Sequence, residues 1–251
     1  MASMLRALVK LTWLELKIFV REPLGFIGSV AIPVLMFVVL ARVFGPRVVT
    51  ATRTVPAFGQ VLPAFSALFV AMGAVTSLVT IISIYREGGI LKRLRATPLS
   101  PAVILSAHVI VKLLLTAATL VALTLAGRRV YPIDPAVPLG SFAVAVLFTT
   151  WSILSIGFVI ASIVPTARFA QPIAALVFYP MIAVSGLFFP LEVLPPPVAT
   201  VARVLPLTAG ASLLNGIWKG EGWLTHGSDV AVLAATFVLC TALSSRVFRW
   251  E

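Results

Sequence analysis

Long apolar runs, each about the length of a bilayer crossing, dominate this chain and alternate with shorter segments that hold most of its charges. A membrane's hydrocarbon core is about 30 Å thick and needs roughly 20 mostly apolar residues per helix. Six stretches meet that length: 24–44, 61–85, 103–126, 139–164, 169–190 and 228–247. In lipid a backbone must satisfy its own polar groups, which a helix does within one segment. The pattern therefore predicts an all-α integral membrane protein with six transmembrane helices. The fifth stretch carries Pro172 and Pro180 and is expected to kink, tilt or turn back.

Ahead of the first run, residues 4–22 have a different period. Between 5 and 21 there is neither proline nor glycine. At helical spacing Arg6, Lys10, Lys17 and Arg21 fall within an arc of about 60°. Leu8, Leu11, Ile18 and Phe19 fall on the other side. This predicts a helix lying in the membrane interface, its basic stripe toward headgroups. Glu15 interrupts the apolar face. Either its carboxylate reaches back to the interface, or it meets a cation on another helix or a partner protein. Glu22-Pro23 ends the helix, because a residue before proline avoids the α region.

Composition agrees with a lipid-embedded chain. Of 251 residues 60% are hydrophobic and 11% charged, against roughly 25% charged in soluble domains. The mean hydropathy of +1.11 is too high for a soluble surface. The net charge of +11 points to anionic lipid headgroups as partner, not to nucleic acid. The single cysteine, Cys240, rules out an internal disulfide.

Basic residues set the expected orientation. With the N-terminus in the cytoplasm, eleven face inward: Arg6, Lys10, Lys17, Arg21, Arg86, Lys92, Arg93, Arg95, Arg168, Arg246 and Arg249. Seven face outward: Arg42, Arg47, Arg53, Arg128, Arg129, Arg203 and Lys219. Both termini are thus expected in the cytoplasm, and the run 24–44 is long enough to stay as an anchor instead of a cleaved signal. His108 and Lys112, four residues apart at the start of the third run, are expected to snorkel to the interface.

The loop 86–101 is built for more than connection. Gly88-Gly89 permits a sharp turn, 90–96 has room for two helical turns, and Pro98 ends them. Taken alone, its cations are equally well explained as positive-inside anchors. However, Arg86-Glu87-Gly88-Gly89 through Leu91, then Leu94-Arg95-Ala96-Thr97-Pro98-Leu99-Ser100, resembles the signature segment of the ABC-2 family of transporter permeases. Late in the chain Gly186-Leu187-Phe188-Phe189-Pro190, Leu194-Pro195 and Leu205-Pro206-Leu207-Thr208 resemble that family's segment between spans five and six.

The resemblance implies a single transmembrane domain over 1–251, in a bacterial plasma membrane. It implies the permease subunit of an ATP-binding cassette exporter, with two permease chains (here expected as a homodimer) and two ATPase chains. ATP and Mg²⁺ would sit on the ATPase, and this chain would bind no cofactor. The loop 86–101 would carry the coupling helix, with Glu87, Leu91, Leu94, Arg95, Thr97 and Pro98 as coupling residues. The N-terminal helix, with Arg6, Lys10, Glu15, Lys17 and Arg21, would lie near that subunit. Phe188, Phe189 and Pro190, at the end of the fifth run, together with Pro195 and Pro206, within an extracellular re-entrant region at 191–227, would form a gate. The Gly88-Gly89-Ile90 wording departs from the commoner Gly-Thr-Leu form, which bears on the turn's geometry.

What is missing narrows the function classes. No Gly-x-x-x-x-Gly-Lys-[Ser/Thr] phosphate loop occurs, so energy is expected from a separate chain. The runs contain almost no acidic residues, which disfavours an ion-coupled secondary carrier. No paired carboxylate or Ser–His constellation lies mid-run, so neither an enzyme nor catalytic residues are expected. His226 has no cysteine or second histidine nearby, and no metal site is expected. In the outer segment, 198–218 is broken by Pro206 and is expected to form a short re-entrant helix followed by an interfacial one. It would either cap a pathway or rest on headgroups through Trp218 and Trp223. Only three tyrosines occur, which favours a hydrophobic or amphipathic cargo (drug, secondary metabolite or lipid) over a polysaccharide or glycolipid.

Overall fold

The computed structural model describes residues 2–21, 23, 27–44, 58–90, 101–130, 138–164, 166–187 and 191–247. Helix α1 (Ala2–Arg21) comes first, and a π-helical stretch, Ile27–Ala31, runs directly into α2 (Ile32–Phe44). There follow α3 (Phe58–Glu87), α4 (Pro101–Val130), α5 (Leu139–Ile163) and α6 (Ala167–Ala183). A 3₁₀ turn, Leu191–Val193, then leads to α7 (Pro196–Arg203), α8 (Pro206–Trp218) and α9 (Gly227–Val247). Among the described residues there is no strand.

Four of these helices are long and apolar enough to cross a membrane: α4 over Val103–Ala126, α5, α9 and the Ala67–Glu87 part of α3. The first and fifth apolar runs form shorter helices among the described residues. In the first, Pro33 cannot donate to the carbonyl four residues earlier, and the backbone just ahead of it widens into the π-helical stretch. In the fifth, α6 ends at Ala183 with Pro172 and Pro180 inside it.

Helix α5 is central, packing most extensively on α9 and α3 and also on α8 and α4. Lipid tails are as apolar as leucine, so helix association here relies on close packing and interhelical hydrogen bonds. Both are present. Ser152 Oγ donates to the Leu233 carbonyl at 2.6 Å, joining α5 to α9, and Ser162 Oγ meets Ser244 Oγ at 3.2 Å two to three turns further on. Gly157 lets Val75 and Leu78 of α3 approach the α5 backbone.

The outer segment corrects one expectation. Helices α7 and α8 bend by 75° to each other, as the Pro206 break requires. The second of them is not interfacial, however. Leu207, Leu213, Leu214 and Ile217 of α8 are fully buried against α3, α5 and α9. Its Gly210 backbone lies so near α5 that a Cβ there would come within 2.7 Å of Thr149 Cγ2. Gly210 and Gly216, on different sides of α8, let it pack closely into the bundle. Trp218 stacks edge-on against Phe142 of α5, 4.9 Å between centroids, instead of lying free at a surface.

Candidate functional site

At the end of the bundle that carries α1, polar side chains from several helices converge. The C-terminus of α3 is its centre. A helix leaves its last four carbonyls and its first four amides without intrahelical partners. The turn from α5 to α6 presents both kinds within a few residues. Arg86 Nη1 donates to the Val164 carbonyl and Nη2 to the Ala161 carbonyl, both at 2.7 Å. The next residue, Glu87, accepts from the backbone amide of Ala167 through Oε2 at 3.1 Å. A cation thus meets the negative end of α5, and a carboxylate meets the positive end of α6, from adjacent positions on one chain. Both contacts agree in sign with the helix dipoles.

Beyond Glu87 the chain turns at once. Gly88 N donates to the Ile84 carbonyl at 2.9 Å and Gly89 N to the Arg86 carbonyl at 3.0 Å. Gly89 has φ +66°, the left-handed conformation that closes many helices and that glycine adopts without a Cβ penalty. The expected sharp change of direction at Gly88-Gly89 is present. Leu91, Leu94, Arg95, Thr97 and Pro98 lie outside the described residues, as do Phe188, Phe189 and Pro190. Pro195 precedes α7 as its N-cap, and Pro206 opens α8 at the position where a missing N–H costs least.

Helix α1 is tied to this junction. Arg6, Lys10, Lys17 and Arg21 are exposed along α1, in line with the basic stripe. Glu15 lies on the side of α1 that meets α4, and it does not return to the interface. Its Oε1 accepts from the Tyr85 hydroxyl at 3.2 Å, and its Oε2 lies 3.7 Å from His108 Nδ1. Tyr85 and His108 also pack edge to face, with centroids 5.4 Å apart. One carboxylate therefore connects α1, α3 and α4.

Snorkelling by His108 and Lys112 is corrected as well. They are only 3% and 8% exposed. Lys112 Nζ donates to Ser77 Oγ at 2.6 Å and lies 5.4 Å from the centroid of the Phe19 ring. Interhelical partners on α1 and α3 hold these groups inside the bundle.

Sequence reasoning counted Arg86 among the inward cations and within the family motif, without foreseeing its partners, and assigned no role to Tyr85. An Arg-Glu pair at the end of an apolar run, with a Pro165-Thr166 break between two later runs, is the signal that could have pointed to the clamp.

A second polar cluster sits at the opposite end. His226 Nε2 meets Glu221 Oε2 and Nδ1 meets Asp229 Oδ2, both at 2.8 Å, while Ser212 Oγ donates to Asp229 Oδ2 at 2.7 Å. The ring lies over Gly216, where any Cβ would overlap it. Burial alone would depress the His226 pKa. The hydrogen bonds and charges of Asp229 and Glu221 outweigh it and raise the pKa above the ordinary 6.5. The cluster ties α8 to the start of α9. No grouping of three or more side chains suited to a metal ion is found among the described residues.

The family model described as ABC-2 type transporter matches residues 6–217, from the first turns of α1 to the end of α8. No curated protein matches the chain.

Proposed function

Because this chain belongs to the ABC-2 type transporter family, we propose that it is the permease subunit of an ATP-driven exporter, energised by a separate ATPase chain seated on the loop after α3. The end that carries α1 is placed in the cytoplasm of a bacterial cell, in keeping with the excess of Lys and Arg in the segments at that end. Two permease chains, as a homodimer, and two ATPase chains form the transporter, with ATP and Mg²⁺ held by the ATPases. The cargo is hydrophobic or amphipathic, in keeping with a bundle rich in Val, Leu and Phe with scattered hydroxyls.

The observation that carries this reading is the Arg86–Glu87 clamp. A push on the loop enters α3 and, through three hydrogen bonds, the facing ends of α5 and α6. A loop that served only as a basic anchor would have no need of such a link. The working step is then a rigid-body displacement of α3 together with the α5–α6 turn. α1 follows it through Glu15, which joins α1 to Tyr85 of α3.

The docking itself is tested at Leu91 and Leu94. Burying each leucine in a groove of the ATPase contributes roughly 1.5–3 kcal/mol. Replacing both with Asp is expected to lower co-purification of the ATPase at least tenfold and to abolish cargo-stimulated ATP hydrolysis, with membrane insertion intact. Wild-type docking and stimulation in the double variant would refute the proposal.

A further inference from the structure

Beside the junction, an open crevice lies between the π-helical stretch, α2, α3 and α4. One wall carries Lys112, Thr116 and Thr119, spaced so that they follow one face of α4 over about 10 Å. The facing walls carry Pro33, Ala74 and Ser77 and are bare backbone at Gly28 and Gly73. A Cβ added to Gly28 or to Gly73 would meet nothing within 4 Å. Phe69, 37% exposed, and Leu115 supply an apolar margin, and the crevice faces the side of the bundle at Gly28 and Gly73.

Two polar groups on the α4 wall bear on what this space could hold. The first is Thr116. Threonines in membrane helices commonly return their hydroxyl to the carbonyl four residues back. Thr76, Thr80, Thr119 and Thr124 of α3 and α4 all do so. Thr116 is 1% exposed, yet its Oγ1 has no hydrogen-bond partner among the described residues. An unsatisfied buried hydroxyl is costly, more so where lipid is the only solvent. The second is Lys112, one helical turn nearer the junction on the same face. Its ammonium, a group with three donors and no acceptor, is held by Ser77 at the end of the crevice. A donor pair one turn apart suits an oxyanion, and the apolar margin suits an alkyl chain.

We propose that this crevice is a lateral binding site for an anionic amphiphile. Lys112 Nζ and Thr116 Oγ1 take its phosphate or carboxylate, and its chain lies along Phe69 and Leu115. The inference concerns binding by this chain alone and stands apart from the exporter reading. The occupant comes either from the surrounding anionic phospholipid or from a single-chain amphiphile.

The test uses the full-length protein in phosphatidylcholine nanodiscs and a diazirine-bearing dodecyl phosphate. Photolysis is expected to label peptides containing 69–77 and 112–119. The uncharged dodecanol analogue should label them at least tenfold less. Gly73→Leu fills the crevice from α3 and Gly28→Leu from the π-helical side, and each is expected to cut labelling at least tenfold. Thr116→Val should weaken it severalfold. Competition by phosphatidylglycerol identifies a resident phospholipid; competition only by unlabelled dodecyl phosphate identifies a single-chain occupant. Equal labelling by the phosphate and the alcohol overturns the proposal. So does undiminished labelling of both glycine variants.

Discussion

Replacing Arg86 with alanine removes two hydrogen bonds at once, to the carbonyls of Val164 and Ala161. A hydrogen bond to a charged group contributes about 1.5–3 kcal/mol when well shielded. Arg86 is half-buried, so solvent screening places each bond at or below the lower limit. Together they amount to roughly 2–3 kcal/mol of local stability at the α5–α6 turn. Since about 1.4 kcal/mol is tenfold, amides of the turn should open roughly 30- to 150-fold more often. Hydrogen–deuterium exchange followed by mass spectrometry of peptides covering 158–170 reads this directly. Peptides from the middle of α9 should be unchanged and serve as the internal control. Arg86→Lys keeps the charge but reaches a single carbonyl, so its exchange should fall between the two. Exchange in Arg86→Ala within twofold of the native protein would refute the clamp as an energetic link.

Three further outcomes follow from other parts of the molecule. The His226 pKa is raised in the folded protein, so the tie between α8 and α9 is fully present below the ordinary value of 6.5. It is lost as pH rises through the raised value. The thermal midpoint of the purified protein should therefore fall as pH increases from about 6.5 through that window, and His226→Gln should flatten the slope. Gly210→Ala drives a Cβ against Thr149 in a closely packed contact, and overpacking of this kind costs about 1–3 kcal/mol. A lowered thermal midpoint should follow, with Thr149→Ser restoring part of it. Ser100→Cys and Thr225→Cys, each in a Cys240→Ser background, should react with an impermeant maleimide from opposite faces of the membrane. Labelling of both from outside the cell would overturn the orientation.

The helices were readable from the sequence because lipid demands so regular a pattern. The runs at 103–126, 139–164 and 228–247 lie within or nearly coincide with α4, α5 and α9, since no proline interrupts them. The basic face of α1 was equally plain, from four cations at helical spacing. Burial was harder to read. Residues 206–218 look interfacial in isolation, and only the packing of Gly210 and Gly216 against other elements draws α8 inside. Lys112 and His108 looked like snorkelling groups because their partners, Ser77, Phe19 and Glu15, are remote in sequence. Glu87 was singled out through the family motif, yet its partner is a backbone amide eighty residues away. No side-chain pattern advertises such a contact.

The same clamp has an evolutionary consequence. Arg86 and Glu87 grip main-chain atoms, so what they recognise at the α5–α6 turn is backbone polarity and not residue identity. The joint itself thus makes no demand on the side chains at 161, 164 and 167, although packing still limits the size of Ala161 and Val164, which are fully buried. Proline at 167 is the exception, because it deletes the one amide that Glu87 holds. The joint therefore constrains the backbone where α5 and α6 meet and leaves the choice of residues there to packing alone.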